Sequence, residues 1–344
     1  MAALTRRRTR VDEQTLEREV QLALAVLGKV GGVPFEKLPL PQGRRQIDVE
    51  AWQFGGTPLP VGSVRELEIP GPNGPIPARL YLPSGAGPNG APLPARSRGL
   101  LVNYHGGGFV LGSLASHDPI CRFLCSQAGV AVLNVGYRLA PEHPFPEGYE
   151  DAIAAYAWAA ENLETLGLAD RIGVCGDSAG GNLAAAVAQA ARDRGLRQPD
   201  LQVLLSPWLD LSGRRESRAL FADGYFLTAA QLDWYTERYL GRVDAEGRPV
   251  SESGSADETD PRVSPLLAED LTGLAPAYIA YAGFDPLRDE SRAYAKRLRE
   301  AGVPVTERCH TGHIHPFSNV LGVGRTGIAA AREIADAVRE GLRV

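Results

Sequence analysis

Cysteine is scarce. The 344 residues hold four, Cys121, Cys125, Cys175 and Cys309, too few for a disulfide scaffold. Cys121 and Cys125 lie four apart on a stretch that reads as helix, which is not a usual zinc-ligand spacing. A reduced, cytoplasmic chain is expected, with no metal. Long apolar runs are missing as well: no segment approaches the roughly 18 residues needed to span a bilayer. The apolar stretch Val20–Leu27 follows Glu17, Arg18 and Glu19, the wrong order for a signal peptide, so none is expected. Positive charge is not in excess. Lys and Arg number 36 against 41 Asp and Glu, a net charge of −5, which gives no electrostatic case for nucleic acid or an anionic membrane. The basic run Arg6–Arg10 is followed by no basic face and reads as a solvated arm. No internal repeat is visible. What is present is ordinary globular composition, 44% hydrophobic and 22% charged, at a length that supports one large core and an accessory lobe.

The chain is organised around Gly176-Asp177-Ser178-Ala179-Gly180-Gly181. Arg171–Cys175 before it reads as a buried strand, and Asn182–Arg192 after it is rich in strong helix formers. A serine between strand and helix, with glycine two positions away on each side, fits the G-x-S-x-G elbow. Side chains at those glycines would collide with neighbouring backbone, and the strained turn lifts Oγ clear of the sheet. A plain βα turn with Ser178 as helix N-cap is the alternative.

The surrounding rhythm predicts the fold class. Val64–Ile69 and residues 76–82 alternate like an antiparallel pair around the turn at 70–75. From Gly99 onward, apolar runs alternate with helical stretches: 100–104, 130–135, 172–175, 203–205 and 278–282. With a short strand at Val303–Glu307, this predicts an α/β fold with a mostly parallel sheet of about eight strands, covered by helices on both faces. Residues 11–30 place Leu16, Val20, Leu24 and Leu27 on one helical face, a candidate lid. Residues 31–62, rich in Gly and Pro, read as irregular connection, and 84–97 as a loop. Residues 208–262 break the rhythm, with a single good helix at Thr228–Leu240 opened by a capping box. An insertion after a strand of such a sheet lands at the edge where ligands bind. The expected organisation is an N-terminal cap segment at 1–60, core at 61–207, a cap insertion at 208–262 and core again at 263–344.

A serine nucleophile needs a base and a group to orient it. Three histidines, His310, His313 and His315, follow the last strand, and with Cys309 they could also be metal ligands. Their spacing fits no compact zinc pattern. Asp285 follows the strand at 278–282. Lying before Pro286, it is also a good helix N-cap, so two roles compete for one carboxylate. Asp289 is its local rival. His105-Gly-Gly-Gly108 follows the strand at 100–104, where a second loop of oxyanion donors belongs.

These motifs carry a resemblance. Asn103–Ser113, Tyr137-Arg-Leu-Ala-Pro-Glu-His-Pro-Phe-Pro146, Gly176–Gly181, Asp285-Pro-Leu-Arg-Asp289 and Gly312-His-Ile-His-Pro-Phe317 come in the order seen in hormone-sensitive-lipase-like esterases, the bacterial carboxylesterase branch of the α/β-hydrolase superfamily. The chain resembles them over roughly residues 60–340. The resemblance implies an α/β-hydrolase fold and a serine carboxylesterase that acts on short- to medium-chain acyl esters without a cofactor. It implies Ser178 as nucleophile, Asp285 as acid and His315 as base, with Gly106, Gly107 and Ala179 as oxyanion donors. The segment Tyr137–Pro146, with Glu142 and His143, is a structural brace in that family. Pro316 departs from the family's glycine, fixing φ and removing an N–H beside His315. A small-molecule ester is the expected partner, and a monomer or homodimer the expected state. A ligand-binding receptor on the same scaffold and an amidase or other acyl transferase are the rival readings.

Overall fold

The strands that read as apolar runs bury both faces. In the computed structural model, which describes residues 8–30, 33–85, 98–213, 215–250 and 255–343, these five join three others in one eight-stranded sheet. Its strands are β1 (Ser63–Gly71), β2 (Gly74–Leu82), β3 (Leu100–Tyr104), β4 (Ala131–Val135), β5 (Ile172–Asp177), β6 (Leu201–Leu205), β7 (Ala277–Phe284) and β8 (Val305–Ile314). The order across the sheet is β8-β7-β6-β5-β3-β4-β2-β1, and β2 alone runs antiparallel to its neighbours. The loop expected at 84–97 and the arm at 6–10 lie mostly outside the described residues.

The period of two decides which side chain meets which helix layer. Leu100, Val102 and Tyr104 of β3 face one core, together with Leu204, Ile279 and Tyr281. Leu101, Val203, Leu205, Tyr278 and Ala280 face the other. The first core is closed by α4 (Glu147–Glu161), α5 (Ala179–Asp193) and α8 (Arg288–Glu300). The second is closed by α3 (Asp118–Ala128) and α9 (Thr326–Gly341). Each fully buried Leu, Ile or Phe contributes about 1.5–3 kcal/mol relative to an exposed one.

Three elements lie over the ends of the strands. Helix α1 (Arg18–Val30) enters through Leu16 and Val20, which pack with Phe221, Phe284 and Ile314 in a small separate cluster. Glu17 N–H bonds to the Gly312 carbonyl at 2.9 Å. The Glu19 carboxylate accepts the Arg325 and Thr326 N–H groups at the start of α9, a favourable place for negative charge. Residues 208–262 supply α6 (Glu216–Leu220) and α7 (Ala229–Tyr239), and the capping box predicted at Thr228 and Gln231 is present. The third element corrects the reading of 31–62 as irregular: α2 occupies Leu40–Phe54. Pro39 and Pro41, taken as breakers, sit at the N-cap and in the first turn, where proline costs no helical hydrogen bond. The strand expected at 303–307 is also longer, reaching Ile314 through an irregularity after His310.

One arginine holds α2 down. Arg44 donates to the carbonyls of Val110 at 3.0 Å and Ala140 at 3.1 Å, and to both oxygens of Glu142 at 2.9 and 2.7 Å. The Glu142 pair is partly exposed and weak, whereas the charge-assisted bonds to carbonyls are the stronger component. Arg44→Ala should therefore cost about 1–2 kcal/mol in denaturant unfolding. It should also speed amide exchange across 40–54 while the sheet stays protected. Unchanged exchange in α2 would show that the clamp does not hold it.

Candidate active site

Because the strands are parallel, the loops that follow them meet at one edge. Gly106–Gly108 follow β3, Ser178 follows β5, Asp285 follows β7 and His315 follows β8. Ser178 stands at φ 56°, ψ −120°, a conformation that costs about 1–3 kcal/mol. Packing holds it there. A Cβ on Gly180 would run into the Tyr104 carbonyl, and one on Gly176 into the backbone of Gly180. The Ser178 N–H bonds to the Leu205 carbonyl, and its own carbonyl accepts from Asn182 and Trp208. Ser178 is thus an elbow residue, and its side chain is not an N-cap: it makes no capping bond.

His315 Nδ1 lies 3.0 Å from Asp285 Oδ2, with Asp285 fully buried. A carboxylate accepts, so Nδ1 carries the proton and Nε2 is the ring's basic nitrogen. The competition for Asp285 is resolved by giving each role one oxygen. Oδ1 accepts the Leu287 N–H at 2.8 Å, closing the turn ahead of α8, while Oδ2 meets His315. Asp285 is not the N-cap of α8, which begins at Arg288 with Leu287 in that place. The rival Asp289 accepts from the Ser217 N–H at 2.9 Å and from Arg288, tying α6 to α8 instead. His313 lines the same pocket, but among the described residues its buried Nδ1 has no partner, and neither has His310 Nε2. Burial pushes His310 down to about 4, and His313 below its ordinary value. Among the described residues no group of three His, Cys, Asp or Glu could hold a metal.

The oxyanion loop corrects one expectation. The Gly106 N–H is turned into the protein, 3.2 Å from Asp177 Oδ1 and 3.1 Å from His117 Nε2. An N–H given to a buried carboxylate is not offered to the pocket as well, so Gly106 is not an oxyanion donor. The N–H groups of Gly107, Gly108 and Ala179 bond to no described residue. Gly107, at φ +115°, makes the turn that only glycine adopts freely. His105 braces this loop from below: its ring stacks on Tyr137 at 4.3 Å, and Tyr137 Oη donates to its carbonyl at 2.7 Å. Burial and the neighbouring His117 push His105 down to about 3. The neutral ring therefore donates from Nδ1 to the Gly106 carbonyl at 2.8 Å.

A pocket partly open to solvent is lined by Ser178, His315 and the three glycines. Val20, Ala23 and Leu27 of α1, Ile47, Ala51 and Phe54 of α2, and Leu227 and Tyr235 near α7 make apolar walls. Asp177, His117 and Asn319 also line it, joined by bonds that the sequence reading did not anticipate. The α2 wall left a legible trace, since Leu40, Ile47, Ala51 and Phe54 recur at helical spacing. Gly108 belongs to the same glycine run as Gly106 and Gly107.

This sheet, with a serine elbow after its fifth strand, defines an α/β hydrolase. A family model for the alpha/beta hydrolase fold matches residues 101–319. The carboxylic ester hydrolase LipN of Mycobacterium tuberculosis is 43% identical over 96% of this chain and 85% of its own length. The ethyl acetate hydrolase of Pseudomonas putida is 38% identical over 86% and 89%. Among solved structures, an ester hydrolase from the metagenome of Lake Arreo, complexed with a bipyridine phosphonate derivative, is 39% identical and superposes with TM-score 0.85 over 94% of this chain and 98% of that one. The chain belongs to the hormone-sensitive-lipase-like carboxylesterases of the α/β-hydrolase superfamily.

Behind Asp285 lies a second buried acid. Glu290 Oε2 accepts the Asp210 N–H at 2.8 Å, while Oε1 has no partner among the described residues. Burial, with Asp210 and Asp285 nearby, pushes its carboxyl well above the usual range. A group whose pKa is higher folded than unfolded favours the folded state at low pH and loses that contribution as pH rises above the unfolded value. Glu290→Gln keeps a neutral acceptor, so it should raise the thermal midpoint at pH 8 and change it little at pH 4. Equal midpoint shifts at both values would contradict a protonated Glu290.

Proposed function

We propose that this carboxylic ester hydrolase cleaves short- to medium-chain acyl esters with Ser178 as nucleophile, His315 as base and Asp285 as the group that orients it. The observation that carries the reading is the His315–Asp285 hydrogen bond at 3.0 Å, with His315 lining the same pocket as Ser178. Ser178 Oγ adds to the ester carbonyl carbon and its proton passes to His315 Nε2. The negative charge that forms on the carbonyl oxygen is met by the N–H groups of Gly107, Gly108 and Ala179, at the start of α5. The C–O bond breaks, the alkoxide takes the proton from His315, and an acyl-enzyme remains. Water then adds to the acyl carbon and gives a proton to His315; the C–Oγ bond breaks, Ser178 Oγ takes that proton back, and the acid leaves. No step calls for a metal or cofactor.

The cap in this reading comprises α1, α2 and the 208–262 segment. It closes the acyl end of the pocket and keeps bulk water from the acyl-enzyme. A small-molecule ester is the partner, and the enzyme acts as a monomer or homodimer. A cytoplasmic place is supported by four cysteines that are all free. Among the described residues no helix is long and apolar enough to cross a membrane.

Ser178→Ala should lower turnover of a p-nitrophenyl ester by about 10⁴-fold or more with the thermal midpoint kept, and an organophosphate should label Ser178 alone. His315→Ala should abolish turnover, whereas His310→Ala and His313→Ala keep most of it and EDTA has no effect. Loss of activity in His313→Ala equal to that in His315→Ala would overturn the choice of base.

The cap is tested through acyl length. Each buried methylene is worth about 0.8 kcal/mol, close to fourfold in kcat/KM, until the pocket is full. Ala23→Phe fills the α1 wall, so it should lower kcat/KM on octanoate by about tenfold and leave acetate within about twofold. An unchanged profile across C2–C8 esters would exclude α1 from the acyl site.

A further inference from the structure

The carboxylate of Asp177 is buried, immediately before the nucleophile, and the triad makes no use of it. A buried carboxylate is costly unless it is fully paired, and the partners here come from three separate parts of the chain. Oδ1 accepts the His117 Nε2–H at 2.9 Å and the Gly106 N–H at 3.2 Å. Oδ2 accepts the Asn319 Nδ2–H at 2.9 Å. His117 is fixed in turn by Ser116 Oγ, 2.9 Å from its Nδ1. Asp177 and His117 are both about nineteen-twentieths buried, and Asn319 is half-buried.

Two of the partners, Gly106 and Asn319, belong to loops that must be placed correctly for an ester to react. Gly106 begins the oxyanion loop. With its N–H turned inward to the carboxylate, the chain reverses at Gly107, and the next two N–H groups are left for the pocket. Asn319 ends the short 3₁₀ turn Phe317–Asn319 that follows His315. Asp177 itself is the residue before Ser178.

We infer that Asp177 is a positioning residue, whose carboxylate fixes the oxyanion loop through Gly106 and the base loop through Asn319 relative to Ser178. It touches no reacting atom. Its effect belongs to the geometry of the donors at the moment charge develops, and so falls on kcat more than on KM.

The inference rests on the triad and oxyanion reading above, and one set of assays separates the two. The measurements are kcat and KM on p-nitrophenyl butyrate, the rate at which diethyl p-nitrophenyl phosphate inactivates the enzyme, and the thermal midpoint. Asp177→Ala should lower kcat about 100-fold, the order of effect of losing one oxyanion donor, with KM within threefold and inactivation slowed in parallel. Asp177→Asn keeps an oxygen for the Gly106 N–H and should recover at least tenfold of that loss. Asn319→Ala, which frees only the base loop, should lower kcat about tenfold with KM unchanged. If Asp177→Ala does not fold, Asp177→Asn and Asn319→Ala carry the test. A kcat within threefold of wild type in Asp177→Ala or in Asn319→Ala overturns the inference. So does an Asp177→Asn enzyme no better than Asp177→Ala, or one whose KM rises as much as its kcat falls. A wild-type enzyme inert to both the ester and the phosphate would instead overturn the nucleophile reading.

Discussion

The structure depends on how closely α5 approaches β3. Gly180 lies against the Tyr104 carbonyl with no room for a methyl group, and that approach forces Ser178 to φ 56°. The strain is sustained because the elbow is tied on every side: to Leu205 through the Ser178 N–H, and to Asn182 and Trp208 through its carbonyl. Asn182 also donates its side-chain amide to the Trp208 and Val263 carbonyls, at 2.7 and 2.8 Å. The first turn of α5 is thereby joined to the loop that leaves β6. A strained residue persists where its surroundings over-determine it, and here the whole parallel half of the sheet does so.

The same packing explains why the site divides its work between backbone and side chains. The serine and the Ala179 N–H are placed by main chain in contact with main chain, which leaves little freedom. The loop that carries the Gly107 and Gly108 N–H groups is also held by side chains, through Tyr137 Oη at the His105 carbonyl and the Asp177 carboxylate at the Gly106 N–H. His315 is placed by a side-chain bond to Asp285, whose second oxygen is held by the Leu287 N–H. A carboxylate fixed at one oxygen by its own turn presents the other in a single direction, so the histidine ring inherits the rigidity of the loop after β7.

Local features were legible in the sequence. The elbow, the capping box at Thr228 and Gln231, and the alternation of the core strands are each set by residues within about ten positions of one another. Helix α2 was hidden because Pro39, Pro41 and Gly43 look like breakers until the helix start is located. Gly106 was misplaced for another reason. Which of three consecutive N–H groups faces a pocket depends on Asp177, 71 positions away, and no local pattern carries that. The Asp177–Asn319 bond spans 142 positions and was out of reach in the same way.

The seating of α1 has a consequence for biosynthesis. Leu16 and Val20 are made well before their partners Phe284 and Ile314. At about 5–20 residues per second, a ribosome needs roughly 15–60 s to make the intervening chain. Through that interval α1 lacks these two partners, and the contact forms only once β8 has been made. The α1 wall of the pocket is therefore completed only when the last strand of the sheet is in place.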